Sequence, residues 1–386
     1  MRRYVAERVG QIVFTYCLFL FLVFFLLEAL PGNYLTAFFG ESRLTAAQME
    51  KLAVQLNLDA PPGERFLGWA AGFLRGDLGV SLSQYPRPVI DILAERAPRT
   101  LALFLAAAAL SFACGFSAGK MLAWRRGGRS EAIATVGGIT LYTVFTPWLA
   151  LWLLWLFAFT LRLFPAGKFI TYALWGEDAP SSNSVFLRML LGVAAAAAAA
   201  WAIRRATDAT PPRARRTARL AAGAVVASVL CGYWILTRQA VYALDILYHM
   251  VLPVLTLTLV SFGGTMLLTR NSMLETLGED YILTARAVGL PDDAIRDRHA
   301  ARAALLPVVT TLVFSLAFSV AGGVITESVF SWEGMGYTLM EAVTLSDVPL
   351  AVGAMAFTGI LVLLAHLAAD ILSAYLDPRI RYGRRG

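Results

Sequence analysis

The sequence predicts an all-α, polytopic membrane protein, and three observations carry that prediction. Hydrophobic residues make up 58% of the 386-residue chain and charged ones only 15%, against about 25% charged in a typical soluble domain. A helix needs roughly 20 apolar residues to cross a bilayer. Such runs fall at about 11–30, 100–123, 132–160, 185–203, 217–236, 245–269, 306–329 and 350–376. None of them alternates apolar and polar residues at period two, which excludes the strands of a transmembrane barrel. The pattern gives about eight helical spans.

The first run lies in "MRRYVAERVGQIVFTYCLFLFLVFFLLEALPG", behind basic residues, as the apolar core of a signal peptide would. It is longer than such a core and ends in Glu28 and "LPG" without a small-x-small cleavage site, so it reads as an uncleaved span. Residues 1–99 thus hold the first span and an outer segment. Spans two and three occupy 100–175. The fourth run, which includes the helix-prone but mildly apolar stretch Ala194 to Ala200, shares 176–244 with the fifth. The last three spans belong to 245–386, with a polar stretch at 270–306 between the sixth and seventh.

Lys and Arg set the orientation, because cytoplasmic flanks are enriched in them. With the N-terminus inside, the inner segments hold Arg2, Arg3 and Arg8, then Arg125, Arg126 and Arg129, then Arg204, Arg205, Arg213, Arg215, Arg216 and Arg219. They also hold Arg270, Arg286, Arg296, Arg298 and Arg302, and finally Arg379, Arg381, Arg384 and Arg385. The short outer loops are nearly empty of them, and the segment 31–99 offsets seven basic residues with seven acids. An even number of spans agrees with this bias, so both termini are expected in the cytoplasm. The net charge of +7 is accounted for by span-flanking arginines that face the lipid bilayer's anionic headgroups. It is not read as a nucleic-acid signal.

No catalytic constellation is evident. His249, His299 and His366 are too dispersed for a metal site or triad, and no "GxSxG" or "HExxH" occurs. His249 and His366 lie in separate spans and read as packed or hydrogen-bonded side chains. Cys17, Cys114 and Cys231 also lie in spans and read as packing residues, without zinc spacing or a disulfide framework. The stretch "CGFSAGKM", Cys114 to Met121, imitates a phosphate loop. That motif needs Gly six positions before the Lys and Ser or Thr after it, and Cys114 and Met121 stand there instead. Gly115 and Gly119 read as a close helix-packing contact, with Lys120 snorkelling to the inner surface. Glu28, Asp245 and Glu327 fall near outer span ends and Asp370 in the inner half of the last span. None forms the mid-membrane pair that ion coupling calls for. The chain is expected to be no enzyme, with no metal site and no cofactor of its own.

The polar stretch contains "EDYILTARAVGLPDDAIRDRHAARAALLP", Glu279 to Pro307. Glu279 and Asp280 suit a helix N-terminus, where negative charge is favoured. Good helix formers run to Val288, and Gly289 stops them as a C-terminal cap glycine does. Pro291 fits the first position of a second helix, with Asp292 and Asp293 in its first turn. That helix continues through Ile295, Arg298 and Arg302 to Pro307, where the seventh span begins. Ile282, Ala285 and Val288, at spacing three, give the first helix an apolar face. The small residues Ala285, Ala287 and Gly289 admit close approach by a partner. The segment reads as a docking helix.

These residues also resemble a known family. "DYILTARAVGL…RHAARAALLP" is similar to the cytoplasmic EAA-type coupling loop of binding-protein-dependent ABC importer permeases, in their dipeptide, oligopeptide and nickel branch. "GDLGVSLSQYPRPVIDILAERAPRTLAL", Gly76 to Leu103, resembles that branch's segment before and into the second span. "ESVFSWEGMGYTLMEAV", Glu327 to Val343, resembles its outer loop after the coupling region, and "LDPRIRY" at 376–382 its C-terminal ending. Their order across most of the chain carries the likeness. It implies a type I ABC importer transmembrane domain, with this chain as one of two membrane subunits. The partners implied are a homologous second permease, two cytoplasmic ATP-binding subunits that hold ATP and magnesium, and an extracytoplasmic solute-binding protein. The location implied is a bacterial or archaeal cytoplasmic (inner) membrane. By the same resemblance Tyr281, Thr284, Ala285, Arg286, Ala287, Gly289 and Leu290 belong to the ATPase-coupling loop, and His299, Arg302 and Pro307 tie it to span seven. Glu327, Trp332, Gly334 and Gly336 belong to the outer loop.

There are departures from the family pattern. Val288 stands where Lys often precedes the loop glycine, and Glu333 where Pro is common in "SWPG". The stretch 176–244 is extra to the usual six-span core and reads as a two-span insert joined by "IRRATDATPPRARRTARL", Ile203 to Leu220. The resemblance implies ATP-driven uptake of peptides, with nickel or another small solute as the alternative within the class. An ion-coupled secondary carrier is the alternative from another class.

Overall fold

The computed structural model describes residues 2–28, 60–208 and 211–376. The "LPG" triplet at 30–32 and the "DPRIRY" ending lie outside them. In chain order the first helices are α1 (Arg2–Glu28), α2 (Pro62–Leu74), α3 (Val89–Trp124), α4 (Arg129–Thr143), α5 (Thr146–Leu153), α6 (Ser182–Ala206), α7 (Pro212–Leu236) and α8 (Ala240–Leu277). Then come α9 (Asp280–Ala287), the single turn α10 (Asp292–Ala294), α11 (Ala301–Val329), α12 (Met335–Thr344) and α13 (Val348–Leu376). Two π-helical stretches, Leu154–Thr160 and Ile295–Ala300, continue α5 and join α10 to α11. No β-strand occurs among the described residues. The apolar runs close into helices because a backbone in lipid must satisfy its own hydrogen bonds.

Six helices among the described residues are long and apolar enough to cross a bilayer, or seven with α4 and its continuation counted as one bent span. The run 306–329 lies within the 29-residue helix α11. The run 132–160, read as one span, is broken: Arg129–Thr143 and Thr146–Thr160 meet at 103°. The cause is local. Pro147 has no N–H for the Thr143 carbonyl that a continuous helix would pair with it, and Val144 is extended at φ −64, ψ 139. Pro147 then falls in the first turn of α5, where proline is tolerated.

Two compact units are present, one of Met1–Leu153 with Pro253–Gly386 and one of Leu154–Leu252. In the first, Leu78, Val89, Ile92, Leu93 and Ala97 pack with Met335, Ala342, Leu350, Ala351 and Ala354, so that α3, α12 and α13 share a core. Asp370 of α13 meets Arg8 of α1 at 3.4 Å. The glycine contact expected of α3 is present. A side chain on Gly115 or Gly119 would strike Thr265, Met266 or Thr269 of α8, and Gly138 of α4 lies backbone to backbone against Gly263 of α8. Between spans the lipid removes most of the hydrophobic drive, so close packing of this kind holds helices together.

In the second unit the rings of Phe169 and Phe186 meet edge to face at 5.5 Å. The Asp245 carboxylate accepts from the Thr171 amide at 2.9 Å, the Thr171 hydroxyl at 2.7 Å and the Trp175 indole at 2.8 Å. His249, read as a packed or hydrogen-bonded side chain, is buried and donates through Nδ1 to the Asp245 carbonyl at 2.9 Å. The stretch 176–244 lies within this unit. The cysteines differ from the expectation. Cys17, Cys114 and Cys231 are exposed on the faces of α1, α3 and α7 and do not fill the chain's own core. An apolar face turned to lipid accepts a thiol as readily as a core does.

Candidate functional site

The first candidate surface is the segment between α8 and α11. Glu279 caps α9 in extended conformation, and Asp280 fills the first turn. At the other end the Gly289 amide donates to the Arg286 carbonyl at 2.9 Å and the Leu290 amide to the Ala285 carbonyl at 3.2 Å. This is the paired bonding of a Schellman cap, and it requires the left-handed φ of +81 at Gly289. Pro291 is not the first residue of the next turn but its N-cap, with φ −65 and ψ 147. Its carbonyl accepts from the Ala294 and Ile295 amides, which opens the turn one residue later than expected. From there the helical turns continue without a break through Ile295–Ala300 into α11, which starts at Ala301 and runs through Pro307.

One side of the segment is fixed. Ile282, Ala285, Ile295, Ala300, Ala301 and Ala304 pack with Ala123 of α3 and Met273 of α8, with Phe116 and Trp124 alongside. Ala285, expected at a partner's surface, is 8% exposed and lies against its own chain. Val288, expected on the apolar face with Ile282, is 75% exposed because the cap turns it outward where the helix ends. The other side is open. Tyr281, Thr284, Arg286, Ala287, Gly289 and Leu290 are exposed, as are His299, Arg302 and Pro307. Tyr281 and Pro307, far apart in sequence, line one cleft of ≈ 280 Å³ with Glu275 and Glu279. Partial burial, with the Glu279 carboxylate nearby, pushes the Tyr281 phenol up.

An ion pair holds the segment to α3. Lys120, read as reaching the inner surface, puts its ammonium 2.9 Å from Asp297. Arg296 contacts the other carboxylate oxygen at 2.7 Å. Arg296 first, and Lys120 after it, hold the Asp297 carboxyl well below the usual carboxylate range. A depressed pKa means the pair is intact above the ordinary carboxylate range and fails only as pH falls through the lowered value. Asp297→Lys alone is expected to lower the thermal midpoint, and Lys120→Asp with Asp297→Lys to recover part of it. An exposed pair of this kind is worth about 1 kcal/mol or less. Strictly additive single and double variants in a melting series would refute the contact.

The second candidate surface joins α11 to α12. Glu327 is fully buried, and its carboxylate accepts from the Thr100 hydroxyl at 2.7 Å and the Tyr337 amide at 3.0 Å. The Thr100 oxygen in turn accepts from the Met335 amide at 2.7 Å. Trp332, also fully buried, donates from its indole to the Arg99 carbonyl at 3.3 Å. Gly334 is small of necessity, since a Cβ there would lie 2.5 Å from a Glu327 oxygen, and at Gly336 it would meet the Val324 backbone at 2.6 Å. The sequence-predicted set Glu327, Trp332, Gly334 and Gly336 therefore forms one cluster with the start of α3.

Several partners in that cluster were not singled out from sequence. Arg99, 1% exposed, bonds Glu95 at 2.6 Å and Glu333 at 2.8 Å. Glu333, which departs from the family's proline, thus gains a role as an arginine partner. Asp347 is fully buried and accepts from the hydroxyls of Ser81 at 2.5 Å and Ser83 at 2.7 Å. It also caps α13, taking the Leu350 amide at 3.1 Å. The i, i+4 spacing of Glu95 and Arg99 and the place of Asp347 just before α13 were the local signals available; the contacts of Arg99 with Glu333 and of Asp347 with its serines join residues more than 200 positions apart.

The family described as "binding-protein-dependent transport system inner membrane component" matches residues 111–382. The chain is similar to the dipeptide transport system permease protein DppB of Escherichia coli (strain K12), 28% identical over 99% of both chains. It is also similar to the oligopeptide transport system permease protein AppB of Bacillus subtilis (strain 168), 24% identical over 94% of this chain and 93% of that one. A Brucella ovis protein with a provisional peptide-permease name is 30% identical over 93% of each.

Proposed function

The chain belongs to the binding-protein-dependent transport system inner membrane component family, and from that membership we propose that it is the permease subunit of an ATP-driven importer of peptides. It forms the translocation path with a homologous second permease and takes solute from an extracytoplasmic binding protein. Two cytoplasmic subunits bind ATP and magnesium and hydrolyse the nucleotide. The assembly sits in the inner membrane of a bacterium or archaeon.

The observation that carries this reading is the two-sided segment from Glu279 to Ala300. Its inner side is packed on the ends of α3 and α8, while Tyr281, Thr284, Arg286, Ala287, Gly289 and Leu290 face outward. A short helix anchored between α8 and α11 moves as a lever: a push on its open face shifts both helices together. Movement of a nucleotide-closing partner is thereby converted into a change of the transmembrane path. The peptide class draws support from relatives named for dipeptide, di/tripeptide and oligopeptide transport.

The test is uptake of a labelled dipeptide by proteoliposomes containing the full assembly. Uptake is expected to need ATP and the binding protein, and to be competed by unlabelled dipeptide but not by nickel. Gradient-driven uptake by this chain alone would contradict the proposal, and competition by nickel alone would overturn the solute class.

A further inference from the structure

We propose that the α6–α7 hairpin is a binding element for anionic phospholipid, with the arginines at its turn holding the lipid phosphate. The hairpin buries little within the chain. Of the apolar windows of α6 and α7, 6% and 0% of residues are buried. Val193, Val225 and Val229 are each more than 60% exposed, a surface suited to acyl chains.

The turn is internally stitched by two of its arginines. Arg219 donates to the Thr207 hydroxyl at 2.8 Å and to the Asp208 carboxylate at 2.9 Å. Arg215 donates to the Asp208 carbonyl at 2.6 Å. Asp208 is the sole acid between Ile203 and Leu220, against six arginines, and Arg219 already takes it. Arg204, Arg205 and Arg216 are exposed, and no acid pairs with them among the described residues. Arg205 also lies 5.3 Å from the ring centre of Trp201, and tryptophan is a residue of the headgroup level. Guanidinium groups bind phosphate in bidentate fashion. Uncompensated arginines directly below an acyl-facing surface therefore fit one ligand chemistry, a phosphate with its lipid tail attached.

The full-length protein, reconstituted in vesicles of equal phosphatidylcholine and phosphatidylglycerol, is extracted gently and its retained lipid measured by mass spectrometry. Phosphatidylglycerol is expected to be retained over phosphatidylcholine by well more than about tenfold, as three arginines at the interface imply. R204Q/R205Q/R216Q should reduce that preference by about tenfold or more, since each interfacial arginine is worth about fivefold. R204K/R205K/R216K keeps the charge and should keep most of the preference, which separates lipid loss from misfolding. R125Q/R126Q/R129Q removes the same charge elsewhere and should leave the preference nearly intact. Equal losses in the two glutamine variants, no headgroup preference in the parent chain, or displacement of the lipid by millimolar inorganic phosphate would each overturn the proposal.

Discussion

Replacing Gly289 with proline is expected to abolish ATP-driven uptake while the chain remains inserted in the membrane. Proline's φ is fixed near −65°, whereas residue 289 sits at +81. The substitution also removes the amide that bonds Arg286. The cap opens, and α9 loses its fixed relation to α10 and α11. Space is not the issue, because a Cβ at this position meets nothing within 4 Å. Alanine therefore pays only the left-handed backbone cost of about 1–2 kcal/mol, and asparagine, which visits that region more readily, less. Uptake should fall in the order Gly289, Asn, Ala, Pro, with membrane abundance nearly constant. An asparagine variant as damaged as the proline one would refute the conformational argument.

The second large effect is on stability. Glu327→Ala is expected to lower it by on the order of 3–5 kcal/mol, because each buried polar group left unpaired costs about 1–3 kcal/mol. The Thr100 hydroxyl and the Tyr337 amide both lose their acceptor, and a cavity opens beside Gly334. Glu327→Gln keeps one acceptor oxygen and the volume, and should fall between alanine and the parent. Denaturant titration in detergent reads the order directly. An alanine variant within about 0.5 kcal/mol of the parent, the range of an ordinary surface change, would show that the cluster does not hold the α11–α12 junction.

What could be read from sequence follows the range of the interactions. Helix character, the cap at Gly289 and the small-residue contact at Gly115 and Gly119 rest on local composition and spacing, and they emerge in the structure. The bend at Val144 was missed although Pro147 stood within the run, because the unbroken apolar sequence outweighed a single residue. The face of α9 was read one residue too far: Val288 continues the spacing but falls at the cap, where the helix no longer fixes its direction. The pairing of Asp347 with its serines could not be found from spacing at all, since residues 81 and 347 meet only through the tertiary fold. Lys120 gave its position but not its partner, for the same reason.

The most direct measurement of the central claim is mild-detergent purification of the tagged chain from its native membrane, with mass spectrometry of what accompanies it. The account predicts two ATP-binding subunits and a second permease with the parent chain, and loss of the ATP-binding subunits from the Gly289→Pro variant. A chain that emerges alone under several gentle conditions, and still transports on an ion gradient, would contradict it.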